Sequence, residues 1–113
     1  MDPNELIELY AELGALQGEI LMRPQEAIEA WQRVLKLNDR DFRALGALEQ
    51  LFTQEARWEE CIGVLEQKSR ALDDPTAQVE VLLQAASVWE DKIGDRDRAG
   101  DVYERILALD AQN

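Results

Sequence analysis

A recurring pattern restricts the folds open to this chain more than any other feature of the sequence. The segments that begin at Ala27 and Ala99 each contain a small residue, an aromatic residue four positions later, an aliphatic pair, and then leucine and an acid. The segment that begins at Cys61 is a weaker copy. Ala27 and Cys61 are 34 residues apart, and Cys61 and Ala99 are 38 residues apart. Self-similarity at such a period is typical of helical repeat arrays, in which each unit packs on its neighbours.

The spacing of apolar residues by three and four positions predicts six helices and no strand. Pro24, Pro75 and Gly94 mark turns between these helices. The predicted helices span about 4–21, 24–37, 41–54, 58–72, 76–93 and 97–109. The turns within each pair are short, which forces antiparallel neighbours, and no pair can bury its apolar faces alone. We therefore expect an all-α fold, an α-solenoid of three stacked antiparallel helical hairpins.

Each predicted helix has a face that we expect to be buried. In the first helix this face is a single apolar stripe, formed by Leu6, Leu9, Tyr10, Leu13, Leu16 and Ile20. In the later helices the expected core includes Trp31, Phe42, Tyr103 and Leu107. Aromatic residues make up 6% of the chain, so leucine, isoleucine, valine and alanine must supply most of the core.

The charge of the chain limits its partners. There are 24 acidic and 12 basic residues, which give a net charge of −12. A negative field repels phosphate backbones and anionic membrane surfaces, so we expect neither nucleic acid nor membrane as a partner. A basic or apolar protein partner is the better match. The alternative is that the acids serve solubility alone.

The residue types give no sign of catalysis. The chain has no histidine and a single cysteine, Cys61, so it cannot build a His-dependent nucleophile or a Cys/His zinc site by itself. Clustered acids such as Asp73 and Asp74 lie at predicted helix starts, where capping and the helix dipole favour acids in any case. We expect no enzyme activity, no cofactor and no metal. The lone cysteine favours a reducing compartment such as the cytoplasm.

The whole chain resembles a tetratricopeptide repeat array. The first repeat carries Tyr10, Leu13-Gly14, Ala27 and Trp31 at the motif positions of the family. The second carries Leu45, Leu48, Phe52, Cys61 and Leu65, and the third carries Leu82, Ala85-Ala86, Trp89, Ala99 and Tyr103. In the first and third repeats, the turn between the two helices looks about one residue longer than in the family.

The resemblance implies one right-handed superhelical domain over 1–113, with repeats at about 4–38, 39–74 and 75–111. Both ends fall at the same phase of the repeat, so we expect a piece of a longer array of the bacterial, multi-repeat type. The last 22 residues before Ala111 are also similar to half-tetratricopeptide repeats of RNA-processing scaffolds. Because the chain is acidic, we rank that resemblance second.

In tetratricopeptide arrays the first helix of each pair lines a concave groove that holds partner peptides. Carried onto this sequence, the groove would present Glu8, Ala11, Ala15 and Gly18, then Arg43, Gly46, Gln50 and Thr53, and then Glu80, Leu83, Ser87 and Glu90. The glutamates of this groove favour a basic segment of the partner. Arg43 alone is too little to clamp the C-terminal carboxylate of a partner peptide, as some members of the family do. The alternative is that these residues are simply solvated.

The resemblance therefore implies a non-catalytic protein–protein interaction scaffold. Trp58, which opens a predicted helix at a turn, is the aromatic residue that we expect to be partly exposed and available for a contact. A second hypothesis is self-assembly through the last helix, whose apolar residues Val102, Ile106 and Leu109 have no capping helix after them.

Overall fold

The computed structural model describes residues 1–111, which form six α-helices and no strand. The helices are α1 (Pro3–Ala15), α2 (Pro24–Leu37), α3 (Phe42–Gln54), α4 (Trp58–Ala71), α5 (Pro75–Ser87) and α6 (Arg96–Ala111). Two of them continue as π-helical segments, Leu16–Ile20 after α1 and Val88–Ile93 after α5. The predicted all-α class and the positions of the six helices are confirmed. None of the helices within residues 1–111 is long and apolar enough to cross a membrane.

Aspartates fix the starts of four helices. The Asp2 carboxylate accepts a hydrogen bond from the Glu5 amide at 2.9 Å, and the starts of α3, α5 and α6 are capped in the same way by Asp41, Asp74 and Asp95. Such caps satisfy backbone N–H groups that have no partner inside the helix. α2 and α4 start without a side-chain cap at Arg23 and Arg57. The first helix of each pair therefore has its own start signal, and among the second helices α6 has one as well.

The chain divides into two compact units, and the first is Met1–Ala56. In this unit α2 packs against both α1 and α3. Its fully buried side chains include Ile28, Val34, Leu45 and Leu48. A short turn brings α2 back against α1, as the predicted hairpin requires.

The second unit begins at Arg57 and contains α4, α5 and α6. Here α5 packs against both α4 and α6. Leu82, Ala86, Val102 and Ile106 form a buried cluster between α5 and α6, and Val79, Trp89 and Leu109 pack against it while remaining half-buried. The proposed single superhelical domain over the whole chain stays a prediction.

The turn inside each repeat is built on a residue with left-handed backbone. Met22, Ala56 and Gly94 have φ values of 54°, 55° and 81°. Each stands five positions before the small residue of the following helix, so the three turns are in phase. In the first and third repeats the last turn before this residue is π-helical, and there the Arg23 and Asp95 amides donate to carbonyls six positions earlier. The extra residue expected in these two turns is thus accommodated by a wider helical turn.

The prediction for the buried face of α1 was wrong. The buried residues are Ile7, Ala11 and Gly14. Four residues of the predicted stripe are exposed instead: Leu9 (50%), Leu13 (41%), Leu16 (46%) and Ile20 (69%). Gly14 explains the choice of face, because it lets the Trp31 indole of α2 approach the α1 backbone. A Cβ added at Gly14 would lie 2.7 Å from Trp31 Nε1.

Three further residues predicted to be in the core lie at the surface. Phe42, at the start of α3, is 46% exposed. Tyr103 is 39% exposed and Leu107 is 67% exposed, because α6 turns Val102 and Ile106 towards α5 instead. Aromatic and leucine side chains at helix starts and on outer faces are common at protein surfaces, since polar surface alone cannot cover a domain.

Candidate partner-binding surfaces

A hydrogen-bonded ion pair joins the exposed faces of α1 and α3. Both guanidinium Nη atoms of Arg43 donate to the Glu8 carboxylate at 3.0 Å. Arg43 Nη2 also donates to Asp41 Oδ2 at 3.1 Å. The two predicted groove residues Glu8 and Arg43 therefore lie together, and the single arginine is matched by two carboxylates. This fork geometry fixes the orientation of the arginine.

The pKa values in this group all favour the charged forms. Burial raises the pKa of Asp41, but the Arg43 guanidinium and the amides of Ala44 and Arg43 lower it by more, so the net shift is downward. The side-chain hydrogen bond from Arg43 lowers the pKa of Glu8. The hydrogen bonds to Glu8 and Asp41 raise the pKa of Arg43. All three side chains are therefore charged at neutral pH.

The other predicted groove residues of α1 and α3 differ in accessibility. Ala11 is 6% exposed, so its predicted place on the accessible face is corrected: it belongs to the buried stripe of α1 with Ile7 and Gly14. Ala15, Gly18 and Gly46 are half-buried, and Gln50 and Thr53 are exposed. The Thr53 hydroxyl donates to the Glu49 carbonyl at 2.7 Å.

The predicted groove residues of α5 and its π-helical extension are all exposed. Glu80, Leu83, Ser87 and Glu90 are spaced by three and four positions and therefore share one face. The Ser87 hydroxyl donates to Asp91 at 3.1 Å, and the Tyr103 hydroxyl donates to Glu90 at 3.3 Å. The negative charge of Glu90 raises the pKa of Tyr103. This face is acidic around one exposed leucine.

Trp58 is half-buried at the start of α4. The Lys92 ammonium lies 5.3 Å from the centre of its ring, a cation–π contact inside the second unit. The part of the ring that stays exposed is compatible with the predicted contact role, which stays a prediction.

Two surface features were not predicted from the sequence. One is a cleft of about 330 Å³ lined by Ser69, Arg70, Gln78, Leu82, Arg105, Ala108 and Leu109. Arg105 in this cleft donates to both carboxylate oxygens of Glu66, at 2.9 and 2.7 Å. The other feature is the exposed apolar row on α1. No sequence signal marks the cleft, but a heptad-like spacing could have drawn attention to the row.

The groups that could support chemistry are sparse in the described part of the chain. Within residues 1–111, no set of three or more histidine, cysteine or acidic side chains is arranged to hold a metal ion. The Cys61 thiol is 2% exposed, at the small buried position that Ala27 and Ala99 occupy in the other repeats. Burial among apolar neighbours suits a packing role for this thiol.

Residues 44–78 match a family model described as tetratricopeptide repeat. This segment is therefore similar to a tetratricopeptide repeat. The matched segment covers nearly all of α3, all of α4 and the first residues of α5. No curated protein matches the chain at a significant level. Tetratricopeptide repeats generally mediate protein–protein interactions and are generally non-catalytic, so the surfaces above are candidates for partner contacts.

Proposed function

We propose that this protein is a non-catalytic scaffold that binds a basic or apolar peptide or helix of a partner protein in the concave groove expected of tetratricopeptide repeats. One observation carries the proposal: the exposed faces of α1 and of α5 with its π-helical extension are acidic, with Glu8, Glu80 and Glu90 at the surface. The positive charge of Arg43 is already matched by Glu8 and Asp41. Charge complementarity then favours a cationic segment.

Preorganisation supports the same proposal. Arg43 is held by two carboxylates, and Asp41 caps the helix that carries it, so this part of the surface has few side-chain rotamers to lose on binding. A surface that is already ordered loses less conformational entropy when a partner docks. A net charge of −12 disfavours nucleic acid and anionic membranes as partners, and the reduced, buried Cys61 is compatible with the cytoplasm.

A pair of charge-matched variants tests the groove. Glu80→Lys/Glu90→Lys reverses the charge of the α5 face, and Glu26→Lys/Glu104→Lys makes the same change in net charge at exposed positions of α2 and α6. Both variants and the parent protein are used in affinity purification from a lysate of the source cells, with quantitative mass spectrometry. We expect the α5 variant alone to lose the partners that the parent recovers. Equal recovery by all three proteins would remove the groove proposal.

Self-assembly through α6 is the second candidate, and it has less support. Val102 and Ile106 are 3% and 8% exposed, so two of the three residues named for it are already covered by α5. Leu107 is the most exposed large apolar side chain on this helix, at 67%. Light scattering over a wide concentration range separates the two functions: a monomer at every concentration would exclude self-assembly.

A further inference from the structure

Helix α1 has two apolar faces, and one of them has no partner among residues 1–111. The inner face, with Ile7, Ala11 and Gly14, is buried in the first unit. The outer face continues into the π-helical segment Leu16–Ile20 and carries what we call the outer stripe: Leu9, Leu13, Leu16 and Ile20, all between 41% and 69% exposed. A solvent-facing helix surface normally carries polar residues, so a continuous row of aliphatic side chains marks a contact surface.

The outer stripe has the spacing of a coiled-coil seam. Its members are separated by four, three and four positions, which places them alternately at the d and a positions of a heptad. In the same register Leu6 is an a position, and Glu5, Glu12 and Glu19 occupy three successive g positions. Positions of type g flank the seam and pair with charges on the partner helix. The seam therefore has an apolar centre and a glutamate edge.

The charge around the outer stripe selects its occupant. No lysine or arginine occurs before Arg23, whereas five acids do. At the N-terminal end of the stripe, a cleft of about 490 Å³ surrounds Leu9 with Asp2, Glu5, Glu8 and Glu12. A second copy of the chain would bring the same acids and a further charge of −12, so self-pairing is opposed by repulsion. A helix that carries lysine or arginine beside its apolar seam meets the opposite charge.

We propose that the outer face of α1 docks a cationic amphipathic α-helix of a partner protein. Leucine-like side chains of that helix pack on the outer stripe, and its basic residues pair with Glu5, Glu12 and Glu19. This surface is distinct from the concave groove proposed above, because the outer stripe and the residues of the α1 groove occupy different positions around the helix. The helix thus offers one face to its own unit and another to a partner.

The test uses synthetic 21-residue peptides with a fluorescent label, and fluorescence anisotropy reports binding to the intact protein. The basic peptide has leucine or isoleucine at a and d and lysine at e and g, so that it repels itself and stays monomeric. One control peptide has the same composition in scrambled order, and a second has glutamate in place of lysine. We expect the basic peptide to bind at least tenfold more tightly than either control.

Protein variants locate the site. Leu13→Gln/Leu16→Gln removes the centre of the outer stripe, and the matched control is Leu37→Gln, at a position of α2 that is 40% exposed and lies outside both proposed surfaces. We expect a loss of at least tenfold in the affinity for the basic peptide in the first variant and less than twofold in the second. Glu12→Lys/Glu19→Lys should shift the preference towards the acidic peptide. Far-UV circular dichroism checks that each variant is folded, and if the leucine variant is not, the charge reversal decides.

Three results would overturn this docking site. Equal binding of the basic and scrambled peptides would show that net charge alone attracts them. Unchanged affinity in both the leucine and the charge variants would place the peptide elsewhere. A dimer of the free protein in sedimentation velocity that Leu13→Gln/Leu16→Gln dissociates would mean that a second copy covers the outer stripe.

Discussion

The first and third repeats use the same backbone plan for different packing. Both extend their first helix by a π-helical segment and then turn through a left-handed residue, Met22 in one and Gly94 in the other. At equivalent positions the first repeat pairs Gly14 with Trp31, which is 8% exposed, whereas the third has Ala86 and Tyr103, which is 39% exposed. A missing Cβ on the first helix coincides with a buried aromatic on the second.

The difference shows that the repeat motif specifies which positions are equivalent, whereas the side chains at those positions determine how deeply each one is buried. Trp31 lies against the backbone at Gly14 and helps to hold the α1–α2 pair together. Tyr103 lies outside its pair and donates a hydrogen bond to Glu90 at the surface. We therefore expect substitutions at equivalent positions of the two repeats to have unequal effects on stability.

The largest difference should come from the aromatic pair. We expect Trp31→Ala to lower the free energy of unfolding by about 3–5 kcal/mol, because it leaves a cavity against Gly14. Tyr103→Ala should lower it by less than about 1 kcal/mol, because the ring is largely at the surface. Urea unfolding followed by circular dichroism measures both. Equal losses would break the comparison between the repeats.

The next effect concerns the small residues that face these aromatics. We expect Gly14→Ala to destabilise the protein by about 2 kcal/mol through overpacking against Trp31, despite the better helix propensity of alanine. The matched control is Gly63→Ala in α4, where a Cβ would meet no atom within 4 Å. It should stabilise by about 0.5–1 kcal/mol. A gain from Gly14→Ala would contradict the close approach of the indole.

The turn residues should give a smaller and opposite pair of effects. Met22 has the left-handed backbone with a side chain attached, so Met22→Gly should raise the free energy of unfolding by up to about 1 kcal/mol. Gly94→Ala imposes the same strain on the third repeat and should lower it by about 1 kcal/mol. Differential scanning calorimetry resolves shifts of this size in the melting temperature. Two shifts of the same sign would show that the turns are not equivalent.

The smallest effect is a pH dependence in the first unit. The pKa of Asp41 is lowered in the folded protein from a reference value of 3.8. Its stabilising contribution is therefore complete above the unfolded pKa and is lost as the pH falls through the folded pKa. Asp41→Asn keeps a capping side chain but cannot ionise, so its stability should fall less steeply between pH 6 and about pH 3 than that of the parent. Parallel slopes in urea titrations would contradict this assignment.

The local features of the fold followed from the sequence. Apolar spacing and the aspartates and prolines at helix starts placed six helices within a few residues of their observed bounds, since these signals act between neighbours in the chain. Gly94 also marked the left-handed turn of the third repeat, and the absence of lysine and arginine before Arg23 was readable directly. The acidic character of the candidate groove could also be predicted, because charges can be counted from the sequence without knowing how the helices pack.

The three-dimensional structure decided which apolar face of α1 turns inward. Hydrophobicity alone favoured the leucine-rich stripe, but the face with Ala11 and Gly14 is the buried one, because its small residues leave room for Trp31. Such a choice depends on the volumes of side chains on two helices at once and cannot be read from one segment. The volumes of side chains on paired helices also left Tyr103 at the surface and the outer stripe exposed.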